Sequence, residues 1–352
     1  MVIVMSSDAA PEDVAAVLAR VNDAGVRSYI SRGRDHLLIA AVDDGAATAP
    51  AADVLRALPG VRAVTAHPTP YPLVSRDSLA ERSVVEVGGV PIGAGTFTLI
   101  AGPCAVETEE QTRAAARMAL TAGAALLRGG AYKPRTSPYD FRGLGEDGLR
   151  ILADVRAETG LPVITEVMDP RDAETVARYA DMLQIGTRSM QSFPLLEAAA
   201  DTGKPVLLKR GMSATVEEWL LAAEYIAHRG NLGVVLCERG IRTYERATRN
   251  TLDLSAVPVA QQLSHLPVIV DPSHAGGRAG LVVPLVRAGV AVGADGAMVD
   301  VHPTPEAALC DGPQALGDTD LKELGETVRE WAPLAGRLTL CAPPNPSLPL
   351  MS

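Results

Sequence analysis

Between Leu126 and Phe141 the chain reads LLRGGAYKPRTSPYDF. Arg128, Lys133 and Arg135 fall within eight residues, and no acid appears until Asp140. The whole chain carries a formal net charge of -10, so this cationic cluster stands out against its background. Gly129 and Gly130 allow backbone to approach a ligand closely, and Pro134 stiffens the loop. Arginine offers a planar fork of donors to phosphate or carboxylate, and lysine a compact point charge. Such a loop suits a small, multiply charged anion; a solvated basic loop is the plain alternative. Arg188, Lys209 and Arg239 follow other short apolar runs. Six cations exceed the need of one phosphate and suit two phosphorylated substrates, or one bearing phosphate and carboxylate. Some of them could instead be structural partners of Glu166, Glu238 or Asp271, because a buried arginine needs a counter-charge. A second set, Cys104, His274, Asp300 and Asp311, offers thiol, imidazole and carboxylate ligands for a borderline divalent metal. Its spacing is not a local motif. A cysteine at a strand end can equally be packing, and a histidine in a glycine-rich loop a turn residue.

What must position these groups is a repeated unit. From residue 96 a short apolar strand, a polar loop and an amphipathic helix recur. The strands are read at 96–101, 124–127, 162–165, 182–185, 205–208, 233–236, 267–270 and 296–299. Helical patterns include 107–121, 149–159, 172–179, 192–202, 215–229 and 280–291. Strands separated by helices imply right-handed crossovers and a parallel sheet, and eight such units predict a closed (β/α)8 TIM barrel over 96–340. The strands lack polar alternation, as expected when both faces are buried. In a barrel the residues that follow the strands share one rim, so Cys104, Arg128, Arg188, Lys209, Arg239, His274 and Asp300 should converge there.

Residues 1–70 read as βαββαβ, the ferredoxin-like order, with no cluster of catalytic groups. Such a module more often binds a small effector or a second copy of itself. Residues 71–95 read as linker and a small hairpin around Gly88-Gly89, the linker stretch (66–82) carrying Pro68, Pro70 and Pro72. Residues 341–352 form a Pro-rich tail containing Cys341. With 47% hydrophobic and 21% charged residues over 352, the composition is that of a globular enzyme. Aromatics at 3% and the acidic balance argue against nucleic acid. The longest apolar tract, 281–299, is broken by Pro284, Arg287 and Asp295, which argues against a membrane span. Four scattered cysteines without a CxxC, and no visible signal peptide, predict a cytoplasmic protein with reduced thiols.

GPCAVE (102–107), LRGGAYKPRTSPYDFRGLGEDGL (127–149), ITEVMDP (164–170), QIGTR (184–188), LLKRG (207–211), LCERGIRTYERATRNTLD (236–253), VDPSHAGGR (270–278) and VDVHPTPEAALCDGPQ (299–314) resemble 3-deoxy-7-phosphoheptulonate (DAHP) synthase. The likeness is to the short barrel type with an N-terminal ferredoxin-like regulatory domain. It implies condensation of phosphoenolpyruvate with erythrose 4-phosphate and water, the first step of the shikimate pathway. It implies a divalent ion (Mn, Fe, Co or Zn) on Cys104, His274, Asp300 and Asp311, with catalysis resting on Lys133, Cys104 and His274. Phosphoenolpyruvate would be held by Arg128, Lys133, Arg188, Lys209 and Arg239, and the aldose phosphate by Arg135 and Thr136. Lys133 could donate a proton to the developing alkoxide or simply hold charge. An aromatic amino acid effector at the N-terminal domain and a homotetramer or homodimer are implied as well; a purely structural dimerisation domain is the alternative. One departure stands out: the family usually has Glu where this chain has Asp300, which predicts retained activity with a greater demand for metal. Two rival readings are a 3-deoxy-octulosonate 8-phosphate synthase-like enzyme and a non-catalytic partner of chorismate mutase.

Overall fold

The computed structural model describes residues 1–42, 49–66 and 69–339. The chain opens with β1 (Val2–Met5), α1 (Pro11–Asp23), β2 (Arg27–Arg32), β3 (Leu37–Val42), α2 (Ala52–Arg56) and β4 (Val61–Thr65). The four strands form an antiparallel sheet in the order β2-β3-β1-β4, the ferredoxin-like arrangement expected. Both faces of this sheet are buried, which explains why its central strands are apolar throughout. Ile3, Met5, Leu37 and Ile39 pack on Val14, Val17 and Val21 of α1 and Leu55 of α2. Val2, Val4, Leu38 and Ala40, on the opposite face by the period of two, join Tyr71, Leu73 and the barrel core.

The hairpin β5 (Val84–Val87) and β6 (Val90–Gly93) leads into eight parallel strands: β7 (Thr96–Gly102), β8 (Leu126–Arg128), β9 (Val163–Val167), β10 (Met182–Ile185), β11 (Val206–Lys209), β12 (Val234–Glu238), β13 (Val268–Val270) and β14 (Gly296–Asp300). Each pairs with the next, and β14 pairs with β7 from Gly296↔Thr98 to Asp300↔Gly102, closing the expected barrel. Around it lie α3 (Glu109–Thr121), α4 (Glu146–Thr159), α5 (Ala173–Tyr179), α6 (Phe193–Asp201), α7 (Val216–His228), α8 (Ala256–Leu263), α9 (Pro272–Gly276), α10 (Ala279–Ala291) and α11 (Asp318–Leu334). Helix starts follow local chemistry: Thr108 caps α3 by accepting from the Gln111 N–H, and Thr215 with Glu218 forms a capping box at α7.

Alternate strand residues divide the core in two. Leu99, Leu127, Val163, Leu208, Leu236 and Val270 pack under the helices. Ile100, Leu126, Ile164, Leu207, Val235, Ile269 and Met298 line the interior, where the hairpin's Val85, Val87, Val90 and Ile92 meet them. The hairpin thus plugs the amino-terminal end of the barrel. Most barrel strands also run one or two residues further than the apolar pattern indicates. Arg128, Lys209, Glu238 and Asp300 are ladder residues, held in register with Ile164, Cys237, Val270 and Gly102.

The segment after Pro70 is no loose tether. Tyr71, Leu73 and Val74 are buried, and the Leu73 and Val74 N–H groups both donate to the Glu224 carboxylate on α7 (3.0 Å each). Ser264 Oγ donates to the Val74 carbonyl, and His265, fully buried, bonds the Ser83 hydroxyl (2.7 Å) and the Leu73 carbonyl (2.9 Å). The N-terminal sheet is docked directly too: the Arg32 N–H donates to the Gly230 carbonyl and the Leu232 N–H to the Arg32 carbonyl. Pro68, Cys341 and the 341–352 tail lie outside the described residues.

Burial raises the Glu224 pKa to about 7, against the two backbone N–H groups that favour its anion. A folded value above the unfolded one adds stability below about pH 4.5 that is lost as pH rises through about 7. Glu224→Gln should therefore flatten the pH dependence of Tm between pH 5 and 8. It should also lower stability at pH 5 by about 1–3 kcal/mol, because one backbone donor then faces an amide N–H instead of an acceptor. Thermal melts of both proteins across this range provide the check; parallel curves would contradict the assignment.

Candidate active site

The inward rows of the barrel change character at the carboxyl end. Two residues beyond the inward Leu126 stands Arg128; beyond Ile164, Glu166; beyond Met182, Gln184; beyond Leu207, Lys209. Cys237 is followed in the same way by Arg239, Ile269 by Asp271, and Met298 by Asp300. One pocket is lined by Arg128, Lys133, Glu166, Gln184, Lys209, Arg239 and His274 below, and by Arg135, Thr136, Arg188 and Arg249 nearer its mouth. Every cation expected at this rim is there. Depth separates them: Arg128, Lys133, Lys209 and Arg239 are buried, Arg135 is half-buried, and Arg188 and Thr136 are exposed. Among the described residues Arg188 makes a long contact (3.4 Å) with the Thr136 hydroxyl and no ion pair. Gly186 makes room at the wall, since a Cβ there would lie 2.0 Å from a Glu166 carboxylate oxygen.

Cys104, His274, Asp300 and Asp311 also meet. One ligand atom from each lies within 4.8 Å of all the others. Cys104 Sγ is 3.8 Å from His274 Nε2 and 3.3 Å from Asp311 Oδ2, and His274 Nε2 is 3.7 Å from Asp300 Oδ2. A soft thiol, an imidazole and two hard carboxylates, at separations that one ion could span, fit a borderline divalent metal. The shorter Asp300 side chain still reaches the group. His274 is presented by α9: Asp271 accepts from the His274 backbone N–H (3.0 Å) and bonds Nδ1 (2.9 Å), leaving Nε2 toward the cluster. Asp311 holds the left-handed region (φ 55°), the one described non-glycine residue to do so, and aspartate tolerates it better than most.

The pocket's charges are mostly compensated. Arg128 pairs with Asp300 and Lys209 with Asp271, both deep in the barrel. Lys133 Nζ lies 3.2 Å from Cys104 Sγ. Burial favours its neutral amine, but negative charge nearby, a Cys104 thiolate when formed and Glu166, outweighs that and raises its pKa above the ordinary lysine value. Arg239 is the exception. It is 3% exposed, one nitrogen donates to the His274 carbonyl (3.3 Å), and the buried Nη1 has no hydrogen-bond partner among the described residues. Burial pulls its pKa below the ordinary arginine value. Arg210, adjacent to Lys209 in sequence, points outward and pairs with Glu238 and Asp253.

The residue pattern alone did not single out several groups found here. Arg249 lies within the quoted RATRNTLD run yet gave no signal of its own; the fold brings it to Asp311 (3.0 Å). Cys310 lines the pocket, with Sγ 3.7 Å from Cys104 Sγ and 2.8 Å from Arg135 Nη1, whereas Cys237 sits in the apolar interior. Gln314, buried behind the carboxylates, carries no charge that would mark it.

Residues 75–335 match the DAHP synthetase I family, and residues 1–66 match the DAHP synthase ferredoxin-like domain. The chain belongs to the DAHP synthetase I family. It is 48% identical over 336 residues to a phospho-2-dehydro-3-deoxyheptonate aldolase of Thermotoga maritima, covering 96% of this chain and 99% of that protein. A crystal structure of the Thermotoga maritima DAHP synthase superposes with a TM-score of 0.76 at 47% identity, over 96% of this chain and 98% of that one. A 2-dehydro-3-deoxyphosphooctonate aldolase of Syntrophotalea carbinolica is 36% identical and covers 72% of this chain and 94% of its own length. In this DAHP synthetase I member no helix among the described residues is long and apolar enough to cross a membrane.

Two of the four groups Cys104, His274, Asp300 and Asp311 favour their protonated forms. The Cys310 thiol, burial and Asp300 push the Cys104 thiol well up. Burial opposes the His274 imidazolium, but Asp271 and Asp300 outweigh it and set its pKa at about 10. A bound ion requires thiolate and neutral imidazole, so uptake near pH 7 should release close to two protons and tighten as pH rises toward 9. Zinc titration calorimetry in buffers of different ionisation enthalpy measures this; a release near zero would exclude these two groups as ligands.

Proposed function

We propose that the chain is a DAHP synthase, condensing phosphoenolpyruvate with erythrose 4-phosphate and water to give 3-deoxy-D-arabino-heptulosonate 7-phosphate and phosphate. The observation that carries this reading is the unsatisfied Arg239 Nη1, buried among other cations at the bottom of a barrel mouth. A guanidinium in that state calls for an anion, and Lys209 beside it adds a second charge. The phosphate and carboxylate of phosphoenolpyruvate are then neutralised by Arg239, Lys209 and Arg128, deep in the pocket. Arg135 and Thr136, nearer the mouth, take the phosphate of the aldose, with Arg188 between the two groups. A divalent ion on Cys104, His274, Asp300 and Asp311 would polarise the aldehyde oxygen as a Lewis acid.

With the substrates stacked this way, C3 of the enol attacks the aldehyde carbon and a C–C bond forms. The ammonium of Lys133 stands beside Cys104, where it can pass a proton to the new alkoxide. Water adds to the positive C2 and returns one proton to the Lys133 amine; the C2 hydroxyl then collapses to the ketone, expelling phosphate by C2–O cleavage, and its proton leaves with the phosphate. Alignment of the two reactants accounts for much of the acceleration, up to about 7–11 kcal/mol for well-oriented pairs. The N-terminal unit, without a catalytic cluster of its own, is read as the module that senses an aromatic amino acid end product.

The octulosonate reading is disfavoured because the relative of that name covers 72% of this chain, against 96% for the heptonate relative. A phosphate-release assay with each aldose separates the readings. Release that needs erythrose 4-phosphate, stops with chelator and returns with added Mn, Co or Zn is expected. Faster turnover with arabinose 5-phosphate would favour the octulosonate enzyme, and no release with either would favour a non-catalytic partner. The same assay with tyrosine or phenylalanine should show inhibition if the N-terminal unit is regulatory.

Arg239→Met should cut kcat/KM for phosphoenolpyruvate by about 10²–10³-fold, the usual effect of losing one preorganised donor. Because the charge is buried and only partly satisfied, Tm should stay level or rise. Steady-state kinetics and a thermal melt of one variant test both; a large fall in Tm with unchanged kinetics would make Arg239 structural.

A further inference from the structure

Gln314 is 2% exposed and ends the short turn Gly312–Gln314 that follows Asp311. Its Nε2 donates to Asp300 Oδ2 at 2.6 Å, and its Oε1 accepts from Arg249 Nη1 at 2.8 Å. The same Arg249 nitrogen reaches Asp311 Oδ1 at 3.0 Å. An unbroken path, Asp300–Gln314–Arg249–Asp311, therefore joins both carboxylates of the cluster. The amide cannot be turned round without loss: a guanidinium only donates and a carboxylate only accepts, so Oε1 must face Arg249 and Nε2 must face Asp300.

The two oxygens of Asp300 are divided between different donors. Oδ1 goes to Arg128, while Oδ2, the oxygen 3.7 Å from His274 Nε2, goes to Gln314. Arginine favours two parallel bonds to one carboxylate. Without the amide, Asp300 is free to rotate and give both oxygens to Arg128, away from the other ligands. The short side chain leaves little reach to compensate for that rotation.

We propose that Gln314, supported by Arg249, is a positioning residue for the divalent ion, fixing the Asp300 oxygen that faces His274 and tying it to Asp311. This rests on the metal-dependent reading above. Gln314→Met keeps the length and removes both bonds; Gln314→Glu keeps the acceptor for Arg249 but repels Asp300; Arg249→Met removes the support from a partly exposed position. In each full-length variant, Co(II) affinity is measured by competition with a chromophoric chelator, and the thiolate-to-cobalt absorption is recorded.

Affinity should fall about 10–100-fold in both Gln314 variants and less in Arg249→Met, with the circular dichroism of wild type. Excess metal should restore most of kcat in Gln314→Met, a rescue that a general packing defect would not show. In the double variant Gln314→Met/Arg249→Met the losses should be less than additive, because the two act through one path. Wild-type cobalt affinity and spectrum in Gln314→Met would overturn the proposal while leaving the metal-dependent reading intact. A wild-type protein that takes up no Co(II) would overturn both.

Discussion

The whole molecule depends on the exchange of an apolar layer for a charged one along the inward rows of six of the eight barrel strands. Side chains alternate with a period of two, so the residue two beyond an interior leucine or isoleucine must also face the axis. At Leu126, Ile164, Leu207, Ile269 and Met298 that next residue is Arg128, Glu166, Lys209, Asp271 or Asp300. The apolar layer below anchors the strands. Their backbone ladders then hold the charged residues in register, Arg128 with Ile164 and Lys209 with Cys237. Arg128, Glu166, Lys209 and Asp300 thus stand on the last rungs of the sheet, while Cys104, Lys133, His274 and Asp311 reach them from the loops and short helix that follow the strands.

Holding such charges out of water is costly unless each finds a partner. The fold answers with internal pairs, Arg128 with Asp300 and Lys209 with Asp271. The first pair joins the cations to the Cys104–His274–Asp300–Asp311 cluster directly, and the second does so through the bond from His274 to Asp271. Arg239 breaks the pattern, and the partial satisfaction of its guanidinium is what an anion would complete.

Much of this was legible in the chain. The eight apolar runs located the strands because fully buried strands need no polar alternation, and KPRTS and the CERG run marked two walls of the pocket. By charge Arg128, Lys209 and Asp300 look like loop residues, which makes the apolar pattern end early, although ladder pairing makes them strand. The 66–82 stretch reads as linker from its prolines, whereas Tyr71, Leu73 and Val74 join the core and Glu224, about 150 positions away, accepts from two of their N–H groups. Arg249 and Gln314 were missed for a related reason: their roles depend on contacts with Asp311 and Asp300 that no local pattern encodes. Cys310 and Cys237 carried equal weight as thiols. Only the course of the chain separates the one beside Arg135 from the one in the interior.

The hairpin of Val85, Val87, Val90 and Ile92 stoppers the barrel from beneath. The pocket above it is closed from below and has Arg135, Thr136 and Arg188 in its outer lining. A charge held by Arg128 and Lys209 is thereby sealed from water on the amino-terminal side of the barrel.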